Sequence, residues 1–335
     1  MKTQPKVILK DATLREGLDV PNVVFSPAQK CNIARWVQAI GVPEAEVVAP
    51  SRVLRDLEDA KTLKKNGLVI RLSGLIYASS SDCGQEIDAA SRVLDRFDLL
   101  MPVSPERAPC EPKEKLRLLK RVVNRAAQTK ADFGVGFPHC FQADMGLVME
   151  LAEDAARGGA RRITLYDTNG SRDPFEVHKF VTRIKHTVDV PIFFHGHNDL
   201  GMATANSLAA VQAGADGLDV TVNGLGDRAG NTPLEQIVAV LHLKGFFSGV
   251  RLEAVKELCD RVAGESGLNI AKLAPVVGEY ICWHRSPSHL HNPSLFEAFD
   301  PKLFCATRQL VETRPQEGNT TAASHGSNGR EHLNK

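Results

Sequence analysis

The chain has 335 residues, 43% of them hydrophobic, and a formal net charge of +1, which supplies a core for one large domain plus an appendage. That charge balance gives no electrostatic footprint for nucleic acid or an anionic membrane surface, and no apolar run approaches the ~20 residues of a membrane span. Met1-Lys2-Thr3-Gln4-Pro5 runs into a strand pattern without a signal-peptide core, and the 7 cysteines are scattered with no CxxC pair, so reduced thiols in a cytoplasmic protein are expected.

Strand patterns begin at Lys6, Ala45, Leu68, Phe97, Asp132, Arg162, Val190 and Gly217. Amphipathic stretches lie between and after them, among them Pro27–Ile40, Lys113–Ala127, Gln142–Arg157, Phe175–His186, Met202–Ala213 and Pro233–Leu243. This alternation predicts an α/β fold, a (β/α)8 TIM barrel, with a doubly wound open sheet as the competing architecture. The barrel is favoured because chemically capable residues cluster just after several strands, where barrel active sites form. Past Phe247 the pattern changes to a helix over Leu252–Glu265 and a His-rich stretch from Trp283 to His291. The expected division is a barrel over 1–247, a small C-terminal helical subdomain over 248–310 and a disordered tail over 311–335.

The chemistry centres on Phe194-His195-Gly196-His197-Asn198-Asp199. On a strand, positions i and i+2 face the same way, so both imidazoles point into one space. Asp11 occupies a similar place after Val7-Ile8-Leu9, and Asn231 closes a glycine-rich loop after the last strand. A carboxylate, two imidazoles and an amide oxygen suit a divalent cation such as Mg, Mn, Zn or Co. Arg15 and Glu16 follow in the first strand-to-helix loop, where a guanidinium can polarise a carbonyl and stabilise a developing enolate or alkoxide. Thr168, after the sixth strand, is placed to donate to a substrate carboxylate. Arg52, after the second, is a candidate for pairing with a distal carboxylate, or a helix-start surface residue.

The segment Asp11 to Gly17 and the long run from His195 through Gln236 resemble the DRE-TIM metallolyase superfamily, on the branch with homocitrate, isopropylmalate and citramalate synthases. The resemblance implies a divalent metal on Asp11, His195 and His197 with Asn231 completing the set, Arg15 on the 2-oxo carbonyl and Thr168 on the carboxylate. It implies a Claisen condensation of acetyl-CoA with a 2-oxo acid, followed by hydrolysis that releases CoA, and a homodimer. Val276 to Glu279, His284 to His289 and Phe299-Asp300-Pro301 resemble the subdomain these synthases lay over a barrel mouth, which makes His289 a candidate for proton transfer. The alternative within the superfamily is carbon–carbon cleavage of the hydroxymethylglutaryl-CoA lyase type. Those lyases carry a catalytic Cys in the last glycine loop, and Gly224 to Asn231 has none.

Three departures from the synthase pattern fall near the site. His139 stands where the synthases have an acidic pair after the fifth strand, and its near-neutral pKa suits it to replace a general acid or base, or leaves it a bystander. Phe296 stands where a tyrosine is expected, and Gly17-Leu18-Asp19 replaces the usual Gly-Glu-Gln or Gly-Leu-Gln.

Overall fold

A computed structural model describes residues 4–106 and 110–311. Eight parallel strands, β1 (Ile8–Asp11), β2 (Glu44–Val48), β3 (Arg71–Tyr77), β4 (Arg96–Leu100), β5 (Phe133–Phe137), β6 (Ile163–Asp167), β7 (Ile192–Gly196) and β8 (Gly217–Val220), pair in sequence order and close into a barrel. Closure is made by β1 on β8, with Ile8 opposite Gly217 and Asp11 opposite Val220. The expected TIM barrel is therefore present.

Each strand alternates between two surroundings. Leu9, Leu72, Val135, Ile163, Ile192, Phe194 and Leu218 are fully buried in the apolar core. The residues that meet across the barrel centre are charged. Lys10 reaches Glu46 at 2.5 Å and Asp219 at 2.9 Å, and Arg162 bonds Glu44 at 2.9 Å and Asp98 at 2.7 Å. Arg162 also lies over the Phe193 ring at 4.6 Å. Charges so fully removed from water are tolerated only when paired, and here each has a partner of opposite sign.

Some of the helices start where side chains satisfy free backbone N–H groups. Ser26 with Gln29 and Asp173 with Glu176 form capping boxes on Pro27–Ala39 and Pro174–Lys185. Asp144 accepts from Leu147 N, so the helix expected from Gln142 begins at Met145. Past the barrel, a turn over Leu252–Ala254 leads into the helix Val255–Ser266. Asn223 Nδ2 donates to Cys259 O at 2.9 Å and ties that helix to the loop after β8. Trp283–His284 and Gln309–Leu310 form a small parallel pair. The tail expected to be disordered lies, from residue 312 on, outside the described residues. Among the described residues no helix is long and apolar enough to cross a membrane.

Candidate active site and metal centre

The C-terminal ends of the strands surround a cavity of about 560 Å³ whose lining includes Arg15, Glu16, His139, Tyr166, Thr168, His195 and His197. A hollow of similar size at the opposite end of the barrel is lined by Leu68 and by the surface ion pairs Lys64–Asp95 and Arg71–Asp132.

In the upper cavity, ligand atoms of Glu16, His195 and His197 all lie within 4.8 Å of one another, and all three residues are buried. The HxH spacing works as expected: β7 delivers His195 on its last inward position and the chain continues to His197, with ring centroids 5.1 Å apart. Glu16 Oε1 lies 3.3 Å from His195 Nε2. Asp219 holds the other ring nitrogen, Nδ1, at 3.0 Å, which orients the imidazole as a carboxylate behind a metal-binding histidine does.

The expected carboxylate was Asp11; the carboxylate that lies with the two imidazoles is that of Glu16, and Asp11 is hydrogen-bonded elsewhere. Asp11 accepts from Thr13 N at 3.1 Å and Thr13 Oγ1 at 2.8 Å. Thr13 Oγ1 in turn accepts from Val222 N at 2.9 Å, which locks the β1 end to the loop after β8. The physical reason is strand alternation: Lys10 projects into the barrel, so its neighbour Asp11 does not. One helical turn, Thr13–Glu16, then brings Glu16 back over the mouth.

Asn231 sits beside this cluster, its Nδ2 2.9 Å from His195 Nε2 and its Oδ1 buried without a hydrogen-bond partner. The glycine loop fixes it there. Asn198 N bonds Gly230 O and Thr232 N bonds Gly196 O, Gly230 has φ +84°, and a Cβ on Gly226 would lie 1.9 Å from Asn231 Oδ1. His197 Nδ1 is likewise buried and unpartnered. Two orphaned donor atoms beside a carboxylate and two imidazoles fit a divalent cation.

Electrostatics reinforce the geometry. Burial, helped by His195, pushes His197 down to about 3, so it is the neutral ligand form at neutral pH. Burial would raise Glu16, but Arg15 and the hydrogen bond from His195 outweigh it and hold the carboxyl well below the usual range. Burial would lower His195, yet its bonds to Asp219 and Glu16 raise it. Asp11, by contrast, is pushed up to about 7 by burial.

Arg15 is fixed by Glu46, which accepts from Nε at 2.7 Å, and by Glu16, which accepts from Nη1. Its Nη2 is 2.7 Å from Glu46 Oε1 as an ion pair but makes no aligned hydrogen bond. Thr168 Oγ1 accepts from His139 N at 2.8 Å, which leaves its O–H proton for another acceptor. His139 holds φ +57° and lines the cavity.

Two expected site residues lie elsewhere. Arg52 does not line the cavity; it precedes the helix Val53–Lys65, with Nε 3.5 Å from Asp56 and Nη1 4.0 Å from Asp19. His289 stacks on Phe296 with centroids 3.9 Å apart and contacts His284 at 3.3 Å, away from the cavity lining. Sequence reasoning missed Lys10, Glu46, Asp219 and Tyr166. The available signal was a charged or phenolic residue at an inward strand position.

Residues 6–262 match the HMGL-like family. The chain belongs to this family. Among HMGL-like relatives, Homocitrate synthase 1 of Nostoc sp. is 33% identical over 91% of this chain and 83% of its own length. 2-Isopropylmalate synthase 2 of Caldanaerobacter subterraneus is 33% identical over 92% and 82%. A hydroxymethylglutaryl-CoA lyase of Pseudomonas aeruginosa, 20% identical, superposes with a TM-score of 0.66 over 80% of this chain and 96% of its own. At that identity the lyase supports the shared barrel fold alone. The resemblance of the motifs to the synthase branch of the DRE-TIM superfamily thus agrees with the sequence relatives.

Proposed function

We propose that the protein is an acyltransferase that condenses acetyl-CoA with a 2-oxo acid, in the manner of homocitrate synthase. The observation that carries this reading is the meeting of the Glu16–His195–His197 cluster with Arg15 and Thr168 around one cavity. Glu16, His195, His197 and Asn231 would hold a divalent cation, which when bound chelates the 2-oxo acid and polarises its carbonyl. Arg15, held by Glu16 and Glu46, directs its guanidinium at the oxygen that gains charge as the new carbon–carbon bond forms. Thr168, its lone pair taken by His139 N, donates its proton to the carboxylate. Asp219 keeps His195 in one orientation, and Lys10 holds Asp219 and Glu46 in place together.

His139 lines the cavity where a proton must be moved, and we assign it the acid–base role. Arg52, outside the cavity lining, is given no role in this scheme. His289 acts only if its segment covers the mouth of a second copy. Leu273, Trp283, Leu295 and Phe296 are well exposed on this part of the chain and supply apolar surface for such a dimer. Free cysteines throughout fit a reducing cytoplasm.

Cleavage of the lyase type is disfavoured by its missing thiol. Cys140 is fully buried, donates to Tyr166 O at 3.6 Å and has its pKa driven up by burial, so it is not a reactive group at the cavity. The test is thiol release from acetyl-CoA by metal-loaded protein against a panel of 2-oxo acids, with products identified by mass. Release that depends on one acid and on the metal supports the synthase. Formation of acetyl-CoA from 3-hydroxyacyl-CoA thioesters instead, with no thiol release from the panel, would overturn it.

A further inference from the structure

Four buried polar atoms at this cavity make no hydrogen bond: His197 Nδ1, Asn231 Oδ1, Arg15 Nη2 and the Tyr166 hydroxyl. Buried polar groups are almost always partnered, and each orphan costs about 1–3 kcal/mol. The first two belong to the metal cluster. Of the other two, Arg15 Nη2 lies 2.7 Å from Glu46 Oε1 without an aligned hydrogen bond, and the Tyr166 hydroxyl bonds no protein group.

Tyr166 is the penultimate residue of β6, paired in register with His195 on β7. Its ring lies 4.6 Å from the His195 ring at an interplanar angle of 32°, and only 5% of the residue is exposed. Gly136 on β5 makes room for it, since a Cβ there would fall 2.8 Å from Tyr166 Cε2. Leu75 and Leu100 pack with it into a small apolar cluster. The ring is therefore held in one place by packing, and its phenol is protonated at neutral pH and able to donate. A side chain that only filled space here would leave no unpaired hydroxyl beside a substrate cavity.

We propose that Tyr166 is a further catalytic residue, its phenol donating a hydrogen bond to the same substrate oxygen that Arg15 stabilises. This rests on the condensation reading above. As the acyl-CoA enolate carbon bonds to the 2-oxo carbon, the carbonyl π pair moves onto that oxygen. The phenol and the guanidinium share the charge without Tyr166 giving up its proton. Two preorganised donors on one developing alkoxide form an oxyanion hole, in which each is worth about 10²–10³ in rate when removed alone.

The test is Tyr166→Phe, which removes the hydroxyl and keeps the ring. Co²⁺ affinity should stay within about twofold of wild type, because no metal contact is lost. Oxalate, a dianionic mimic of the charged substrate, should bind the Co²⁺-loaded variant about 10-fold more weakly, in line with a hydrogen bond to a charged group. In thiol release, kcat should fall about 100-fold while KM for the 2-oxo acid moves less than about threefold. Equal oxalate affinity would overturn the proposal, as would a weakened Co²⁺ site that explains the loss. The condensation reading fails separately, if wild type binds Co²⁺ and oxalate yet turns over no 2-oxo acid. Tyr166→Leu, which keeps an apolar filler without the phenol, should repeat the oxalate loss should the Phe variant fold poorly.

Discussion

Replacing Lys10 with methionine takes a buried ammonium away from Glu46 at 2.5 Å, Asp219 at 2.9 Å and Asp98 at 3.9 Å while nearly conserving volume. Arg162 still faces Glu44 and Asp98, and Arg15 still faces Glu46. Asp219 keeps His195 but loses the cation that, against burial, holds its carboxyl down at about 2. Breaking a buried ion pair from one side costs about 3–5 kcal/mol because a charge is left uncompensated. That is a large part of the ~5–15 kcal/mol that holds a typical domain together. The assay is guanidinium unfolding in chelator, which removes any metal contribution. Asp219→Asn and the double variant complete a cycle. Lys10→Met should lose about 3–5 kcal/mol, and the double variant should lose about 1–3 kcal/mol less than the two singles together. A loss under about 1 kcal/mol with additive singles would refute the idea that this ammonium holds the barrel interior together.

Glu235, buried behind the glycine loop and accepting from Asn223 N at 3.0 Å, is pushed up to about 7 by burial. A raised folded pKa contributes stability that is present below about 4.5 and is lost as pH climbs through about 7. The change is about 3 kcal/mol at about 1.4 kcal/mol per unit. Urea unfolding at pH 5 and pH 8 should show this loss in wild type and a flattened dependence in Glu235→Gln; an unchanged dependence would remove Glu235 as its source. Gly226→Ala puts a Cβ 1.9 Å from Asn231 Oδ1. Metal affinity should drop about 10–100-fold with little change in Tm, read by Co²⁺ titration. Thr168→Val removes the donor but not the volume, so KM for the 2-oxo acid should rise by about 10-fold or more, seen in initial rates at saturating acetyl-CoA.

Much of this was legible in the sequence, for identifiable reasons. The period-2 and period-3.6 patterns alternate cleanly, so the β/α units emerge from hydrophobicity, the clustering of chemically capable residues after the strands selects the barrel, and HxH after an apolar strand fixes the direction of both imidazoles. The same alternation, applied one residue earlier, would have shown Asp11 facing away from Lys10's side. Glu16 was harder to assign, because its place depends on a single helical turn, Thr13–Glu16, that four residues do not announce. The ion pairs of Lys10, Glu44, Glu46, Asp98, Arg162 and Asp219 join four different strands and the residue preceding β6, so partners separated by as many as 209 positions are set by barrel closure and not by local spacing. Arg52 looked available because it follows β2, yet its charge is drawn to Asp56 and Asp19.

The central claim is that Glu16, with His195 and His197, forms the metal site. The direct measurement is Co²⁺ binding, followed by calorimetry and by the visible absorption of the bound ion, in Glu16→Gln and Asp11→Asn. The account predicts that Glu16→Gln loses more affinity than the about 10–100-fold expected for a supporting residue, while Asp11→Asn stays near wild type. Retained binding in Glu16→Gln together with its loss in Asp11→Asn would contradict the site as described.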